Sequence, residues 1–411
     1  MRWADRRVPV WRPGRLARHG GALLGWMLLR AAFQAATVIL LARTLTTQTY
    51  GAFVAVVAVA GFATPLAGMG LANMVLRNVA RDPQAAPWYL GRARSMWAWT
   101  LLPLACITIG IALLLIPEGL PVVAMGAAVI GELLATSLTE LAGRYRQAQH
   151  RHHAYGAINA GLPLLRLLAL GLLVLLAGKA DIASVLWAYT AASLAYVGLL
   201  WPVVRPAKPA PTTLPAEAMS VTSGLPFSAS ALAMRLQGEF NKPVLAHAGF
   251  GLAGTYNIAQ RAVDMASLPL LALQEALWPK LYAQANPLPQ LRRTGAALLL
   301  LAAAVGALIW VAAPLLPVVV GKAHEGSIRV LRMLAWLPLL QAGRSLLNFH
   351  AIHHGRMHHI SWACMVGGGT SVLAVALLVP GHGMAGAVIA SYIAEITMSL
   401  VLVGAALRAS R

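Results

Sequence analysis

The sequence predicts an all-α polytopic membrane protein of about twelve transmembrane helices, and three observations lead there. Of its 411 residues, 59% are hydrophobic and 11% charged, and the mean hydropathy is positive, which is too apolar for one or two soluble globular domains. Apolar stretches of roughly 20 residues, the length that crosses a bilayer core as a helix, follow one another along nearly the whole chain. Most Lys and Arg sit in the short connections between them, where they set orientation. A formal charge of +20 in a soluble protein would suggest nucleic acid, but this placement makes a DNA-binding patch the weaker reading.

The spans are expected at 21–42, 51–71, 95–115, 121–141, 157–177, 183–203, 222–246, 252–276, 294–316, 327–349, 360–380 and 384–406. One side of this map carries Arg2, Arg6, Arg7, Arg12, Arg15, Arg18, Arg77, Arg81, Arg92, Arg94, Arg144, Arg146 and Arg151, then Arg205, Lys208, Lys280, Arg292, Arg293, Arg356, Arg408 and Arg411. The other side has little beyond Arg43, Lys179 and Lys322, with Glu118, Asp181 and Glu325 beside them. By the positive-inside rule both termini are cytoplasmic, which requires an even number of spans. The expected localisation is a bacterial inner membrane.

Residues 1–20 form a basic arm whose Trp3 and Trp11 could rest on anionic headgroups, followed by a retained first helix rather than a cleaved signal. Residues 21–204 form an N-lobe of six spans, 205–221 a Pro- and Ala-rich cytoplasmic linker, 222–407 a C-lobe of six spans, and 408–411 a tail. Comparing the halves at an offset near 203 gives a weak repeat: Gly51-Ala52-Phe53 matches Gly254-Thr255-Tyr256, and Arg77 matches Lys280. His150-Arg151-His152-His153 likewise falls opposite His353-His354. Duplicated halves are a transporter signature, with the substrate site between them near the midplane. Cys106 and Cys364 both fall in spans, so no disulfide framework is indicated.

The charges left inside the spans carry the functional reading. Arg30 lies in span 1, Arg166 in span 5, Arg235 in span 7 and Arg261 in span 8. Each costs about 2.5–3.5 kcal/mol at a helix centre on insertion scales, so such residues face a bundle interior or a wet cavity. Arg235, Glu239 and Lys242 share one helix face, as do Asn257, Arg261 and Asp264; Gln341, Arg344 and Asn348 form another polar face. For Arg235 with Glu239, and Arg261 with Asp264, a locked ion pair that merely holds helices together is the bland competitor, since buried charges are usually paired. Arg30 and Arg166 have no partner within a helical turn and stand out as candidates for an anionic substrate. Arg329 and Arg332, near the outer end of span 10, are read as snorkelling. Glu132, Glu140, Glu275 and Glu395 could relay protons or pair with the arginines, and the sequence does not rank them.

Other chemistry is weakly represented. His350, His353, His354, His358 and His359 lie close together, but without Cys or carboxylates nearby they indicate an interfacial or pH-tuned loop rather than a metal site. Outer loops are about ten residues or fewer, and neither paired carboxylates at acid/base spacing, a Ser/His/Asp set nor a phosphate loop is visible, so no enzyme and no cofactor are expected.

Leu40-Leu41-Ala42-Arg43-Thr44-Leu45, Tyr50-Gly51, Gly70-Leu71 and Arg77 resemble the opening pattern of bacterial polysaccharide transporters, the Wzx-like O-antigen and exopolysaccharide flippases. Phe240-Asn241-Lys242, Gly254-Thr255-Tyr256, Ala259, Arg261, Pro269 and Pro279 are similar to the family's second half, and Leu331-Arg332, Arg344-Ser345-Leu346-Leu347 and Gly381–Ala387 to its last three spans. Asn241 stands where many members carry Asp, so that carboxylate's role is not carried over. The resemblance implies the multidrug/oligosaccharidyl-lipid/polysaccharide exporter fold, a MATE-like arrangement of two six-helix lobes around a central cavity that opens alternately to the two sides. It implies as cargo an oligosaccharide on a polyprenyl diphosphate, for lipopolysaccharide or exopolysaccharide synthesis, with membrane lipids, a polysaccharide polymerase and a chain-length regulator as expected partners.

That cargo suits the residues. A diphosphate and glycan cross hydrocarbon only inside a hydrated cationic cavity while the lipid tail stays in the bilayer, and guanidinium groups bind phosphate bidentately. The expected substrate contacts are Arg30, Arg166, Arg235 and Arg261, with Lys242 and Arg344 secondary, and Glu239, Asp264 and Glu132 as coupling or ion-pair groups. A drug antiporter of the same superfamily would place unpaired carboxylates in the cavity. A peptidoglycan-precursor flippase has two further spans, and a membrane enzyme or scaffold of glycan assembly has a large outer domain.

Overall fold

A computed structural model describes residues 15–178, 180–205, 219–282 and 288–407. The N-lobe consists of α1 (Arg15–Thr44), α2 (Thr47–Ala63), α3 (Leu71–Arg81), α4 (Ala86–Leu115), α5 (Val122–Ala148), α6 (His152–Ala177) and α7 (Ile182–Val204). The C-lobe consists of α8 (Val221–Glu239), α9 (Asn241–Ala248), α10 (Phe250–Ala266), α11 (Leu268–Tyr282), α12 (Leu288–Ala312), α13 (Leu316–Val320), α14 (Ser327–Leu334), α15 (Leu337–His353) and α16 (Met357–Leu407). Most of the expected linker and both chain ends lie outside the described residues.

Eight of these helical stretches are long and apolar enough to cross a membrane. The 51 residues of α16 are too many for one crossing, and Gly383, at φ 54° and ψ −131°, turns the chain back between the expected eleventh and twelfth spans. Spans 7, 8 and 10 are each interrupted, as α8/α9, α10/α11 and α14/α15. Counting the long helix twice and each interrupted pair once restores twelve crossings. Each break is marked by a proline: Pro243, Pro269 and Pro338 sit in the first turn of the helix after it, where a residue without an N–H is tolerated. Uninterrupted spans 7, 8 and 10 were expected, so the breaks are a correction.

Span 2 also departs from expectation. After the 3₁₀ turn Thr64–Leu66, Gly68, Met69 and Gly70 all take left-handed conformations (φ 75°, 49° and 73°) before α3 continues to Arg81. Gly70 is needed for a second reason: a Cβ there would lie 2.2 Å from the carbonyl oxygen of Gly224 on α8. Ser228 of α8 donates to the Pro65 carbonyl at 2.7 Å, so this kinked segment fastens the two lobes along one side.

Within the N-lobe, α1 packs on α6, α5 on α7 and α2 on α5, around a core that includes Val56, Val59, Val129, Leu133 and Leu186. In the C-lobe, α8 and α15 pack on α16 and α10 on α14. The lobes meet most extensively where α2 crosses α10. Gln48 Oε1 accepts from the Gly251 N–H at 3.2 Å across a separation of 203 residues, and a Cβ on Gly254 would stand 3.2 Å from the Gly51 Cα. The weak sequence repeat is therefore physical, because repeat-related positions touch each other on a local pseudo-two-fold axis. A Cβ on Gly51 would fall 1.6 Å from the Phe250 carbonyl oxygen, so only glycine permits this approach.

Further contacts close the same end. Asn257 Nδ2 donates to Tyr50 Oη at 2.8 Å, Arg43 donates to the carbonyls of Val318 and Val319 at 2.6 Å each, and His324 Nε2 lies 3.2 Å from the Ala42 carbonyl oxygen. Arg43 thus places its charge on unpaired carbonyls at the C-terminal end of α13.

A Cβ on Gly251 would stand 3.7 Å from the Thr47 Cβ, inside the range that disulfides span. With Cys106 and Cys364 replaced by Ser, Thr47→Cys combined with Gly251→Cys is expected to cross-link readily under mild oxidation, read by mobility after cleavage between the lobes. Adding Gly51→Val is expected to lower the cross-linked fraction several-fold; no cross-link in the parent double variant would contradict the seam.

Candidate cation-lined cavity

Between the lobes lies a cavity of about 550 Å³. Its walls follow helical arithmetic: Arg30, Gln34, Thr37 and Leu41 from α1, Glu132, Thr136 and Thr139 from α5, and Tyr155, Asn159, Leu162 and Arg166 from α6 recur at three- and four-residue steps, each set forming one face. Tyr189 comes from α7, Arg235 and Glu239 from α8, Lys242 from α9, and Asn257 and Arg261 from α10. Arg30, Arg144, Arg166, Arg235, Lys242 and Arg261 face only Glu132, Glu140 and Glu239 among the lining residues, so positive charge is in excess.

Access is graded along the cavity. Glu140, Arg30 and Arg235 are exposed, the Arg261 side chain is 36% exposed, and Lys242 and Tyr50 are 1% exposed. The cavity is entered from the end bearing Glu140, Arg144 and Tyr155, and sealed by Tyr50, Leu41 and Phe53 beneath the α2/α10 crossing.

Arg166 does not have the unpartnered environment expected of it. Its Nη2 lies 2.6 Å from Glu132 Oε2, its Nε and Nη2 donate to Ser193 Oγ at 3.1 and 3.0 Å, and its guanidinium sits 4.2 Å from the Tyr189 ring centroid. Glu132 is saturated in turn, accepting from Tyr189 Oη and from Thr136 Oγ1, the latter at 2.6 Å. The partner stands on a neighbouring helix, beyond the reach of a search within one helical turn.

Arg344 is the second correction. It does not line the cavity; its Nε donates to Glu395 Oε2 at 2.7 Å, and Gln237 Nε2 donates to Glu395 Oε1 at 3.0 Å, tying α15, α16 and α8 together inside the C-lobe. Glu395, unranked in the sequence, is the counter-charge of this pair.

At the break between α8 and α9, Glu239 bonds the Lys242 ammonium and lies 3.4 Å from Arg261 Nη2. Arg261 Nη1 is 3.7 Å from Asp264 Oδ2, whose side chain is 52% exposed. Arg261 is therefore held by two long contacts, one to an exposed carboxylate. The Arg235–Glu239 ion pair weighed as the alternative to a substrate role does not form, because Glu239 turns to Lys242 and Arg261 instead. Asn241 is buried and donates to Tyr256 Oη at 2.8 Å, a structural bond on the side of α9 away from the cavity.

Two cations remain. Among the described residues, Arg30 and Arg235 make no ion pair or hydrogen bond, yet both line the cavity. Gln34, Thr37, Thr136, Thr139, Asn159 and Asn257 add uncharged polar groups to the same walls. Sequence reasoning passed over most of these, although their spacing from Arg30, Glu132 and Arg166 marks them. Among the described residues no cluster of His, Cys, Asp and Glu can hold a metal; the His350 and His354 rings lie tilted by 40° with centroids 4.3 Å apart.

The polysaccharide biosynthesis protein family matches residues 16–284, well over half of the chain. The chain belongs to that family. No curated protein matches it. Among solved structures it is similar to an inward-facing multidrug resistance MATE family transporter of the MOP superfamily, with 14% identity over 95% of this chain and 98% of that one and a TM-score of 0.69. It is similar to the lipid II flippase MurJ in an inward closed conformation, with 11% identity over 93% and 87% and a TM-score of 0.75. It also resembles a MOP superfamily transporter from Pyrococcus furiosus, described by the reverse polarity of its binding pocket, with 14% identity over 94% of each chain and a TM-score of 0.60. The fold is that shared by these transporters and flippases, two six-helix lobes around a central cavity, and the chain is a multi-pass membrane protein.

The ion-pair assignments have a direct consequence for stability. Arg166→Leu leaves Glu132 buried without its counter-charge and is expected to cost about 3–5 kcal/mol, whereas Arg166→Leu with Glu132→Leu recovers most of the loss. Arg30→Ala and Arg235→Ala are each expected to stay within about 0.5 kcal/mol of the parent. Thermal melts of the purified protein in detergent check this; equal melting for Arg166→Leu and Arg30→Ala would contradict it.

Proposed function

We propose that this chain is a flippase that carries a polyprenyl-diphosphate-linked oligosaccharide across the bacterial inner membrane, from the cytoplasmic to the outer leaflet, for surface polysaccharide synthesis. The observation that carries the proposal is the pair of unsatisfied guanidinium groups, Arg30 and Arg235, one from each lobe, in a cavity whose carboxylates are outnumbered. Unpaired cations at mid-depth are costly in hydrocarbon and are retained where a negatively charged group or water meets them. A drug or organic-cation exporter needs the opposite sign.

The remaining residues divide the work. Arg30 and Arg235 receive the diphosphate, with bidentate donors from two directions. Arg261, loosely held by Glu239 and Asp264, exchanges those carboxylates for a phosphate oxygen as the head group enters. Lys242, fully buried against Glu239, keeps that carboxylate neutralised during the exchange. Gln34, Thr37, Thr136 and Asn159 offer hydrogen bonds to sugar hydroxyls, and the polyprenyl tail stays in the bilayer beside the lobes. Arg166 and Arg344 shape the lobes without touching cargo.

With both termini cytoplasmic, as the distribution of Arg and Lys supports, the entrance at Glu140 and Arg144 faces the cytoplasm. Release on the far side requires the α2/α10 crossing to part, which breaks the Gln48–Gly251, Tyr50–Asn257 and Arg43 bonds while the Gly70–Gly224 contact, already made here, keeps the lobes together on its side. This is alternating access by rocking of two repeats about a fixed site.

In cells carrying Arg30→Ala with Arg235→Ala at normal protein level, lipid-linked oligosaccharide is expected to accumulate on the inner leaflet and surface polysaccharide to fall at least tenfold. Arg344→Lys, outside the cavity, is expected to leave export near the parent level. Unchanged export in the double alanine variant, or unchanged lipid-linked glycan with new drug sensitivity, would sink the proposal.

A further inference from the structure

A second cluster of charge lies far from the cavity, at the end of the C-lobe that carries the short loops. Arg329 and Arg332 are three residues apart on α14 and so share a face, and with Trp310 of α12, Glu325, Ile328 and Met333 they line a pocket of about 380 Å³ open to the surface. The Arg332 guanidinium lies 4.9 Å from the Trp310 ring centroid, and its Nε is buried with no acceptor among the described residues. Snorkelling to water does not account for this atom, because a snorkelling guanidinium reaches solvent. A buried donor without an acceptor is costly, so the geometry asks for a ligand oxygen.

The other charges are also unspent. Arg329 and Glu325 are exposed and stand four residues apart, a spacing suited to a salt bridge, yet among the described residues neither forms an ion pair. Two guanidinium groups and one carboxylate, all open to the same pocket, are complementary to a ligand with a phosphate and a nearby ammonium. The surroundings point to the source of that ligand. Trp310 is 48% exposed and Leu308, Val311 and Leu315 beside it are 64–69% exposed, an apolar surface at interfacial depth where acyl chains lie. A free anion has no use for such a surface.

We infer that this pocket is a binding site for an amine-bearing glycerophospholipid of the phosphatidylethanolamine type, with the phosphate held by Arg329 and Arg332 and the ammonium by Glu325. Trp310 holds Arg332 in place by stacking and lies against the upper acyl chains. The site is independent of the cavity and its cargo; it fastens the α12/α14 corner to lipid close to where α13 accepts Arg43, the contact that has to release when the outer end opens.

Native mass spectrometry of the intact purified protein with added phosphatidylethanolamine or phosphatidylglycerol tests this. The parent is expected to retain several-fold more phosphatidylethanolamine, Arg332→Ala to lose most of those adducts, and Glu325→Gln to abolish the preference between the two lipids. Arg329→Ala, an exposed substitution with little bearing on folding, reads the same site should Arg332→Ala fold poorly. Equal retention of both lipids by the parent, adducts that survive in both arginine variants, or displacement of the lipid by millimolar inorganic phosphate would each overturn the assignment, the last by making a bare anion the occupant.

Discussion

A charge inside a membrane protein must meet either a counter-charge or water, and this requirement arranges the interior of the chain. Glu132 meets Arg166, Glu395 meets Arg344, and Glu239 serves Lys242 and Arg261 together. These pairs consume the deeply buried carboxylates of the described residues. What is left over is positive, and it falls on the wall of the cavity between the lobes. The polarity of the cavity is thus a remainder: arginines that received carboxylates became struts, and those that did not line the cavity with positive charge.

The same division links stability to transport. Struts lie within a lobe, joining α5, α6 and α7 on one side and α8, α15 and α16 on the other, so each lobe can move as a body. Contacts between lobes are of a different kind. At the α2/α10 crossing they are glycine approaches, single neutral hydrogen bonds and a guanidinium on backbone carbonyls, each worth little alone and each able to re-form with water. Strong bonds within lobes and weak ones between them are what a rocking motion requires. The proline-marked breaks add to this by placing the Glu239–Lys242 junction on the cavity wall.

Much of this was legible in the sequence, and the parts that were not have two causes. Span count, the sorting of basic loops and the duplicated halves depend on composition and spacing along a single chain, and the contact between Gly51 and Gly254 follows from the repeat. Arg30 and Arg235 were legible for the same reason, since a mid-span cation without a neighbour one turn away is visible by inspection. The failures concern partners on other helices. Arg166 looked free because Glu132 and Ser193 lie on the helices flanking α6, and Arg344 looked like a cavity residue because nothing in one helix face tells which side of the bundle it meets. Breaks in spans 7, 8 and 10 were masked by hydropathy, which averages over the residues, Pro243, Pro269 and Pro338, that mark them.

Binding of a head group is the most direct test of the charge remainder. Titrating the purified protein with polyprenyl diphosphate and with the uncharged polyprenol of the same length, at several salt concentrations, separates attraction to the phosphates from attraction to the tail. The account requires the diphosphate to bind at least tenfold more tightly at low salt, and the gap to narrow as salt screens the cavity. Equal affinity for the two lipids, independent of salt, would contradict it.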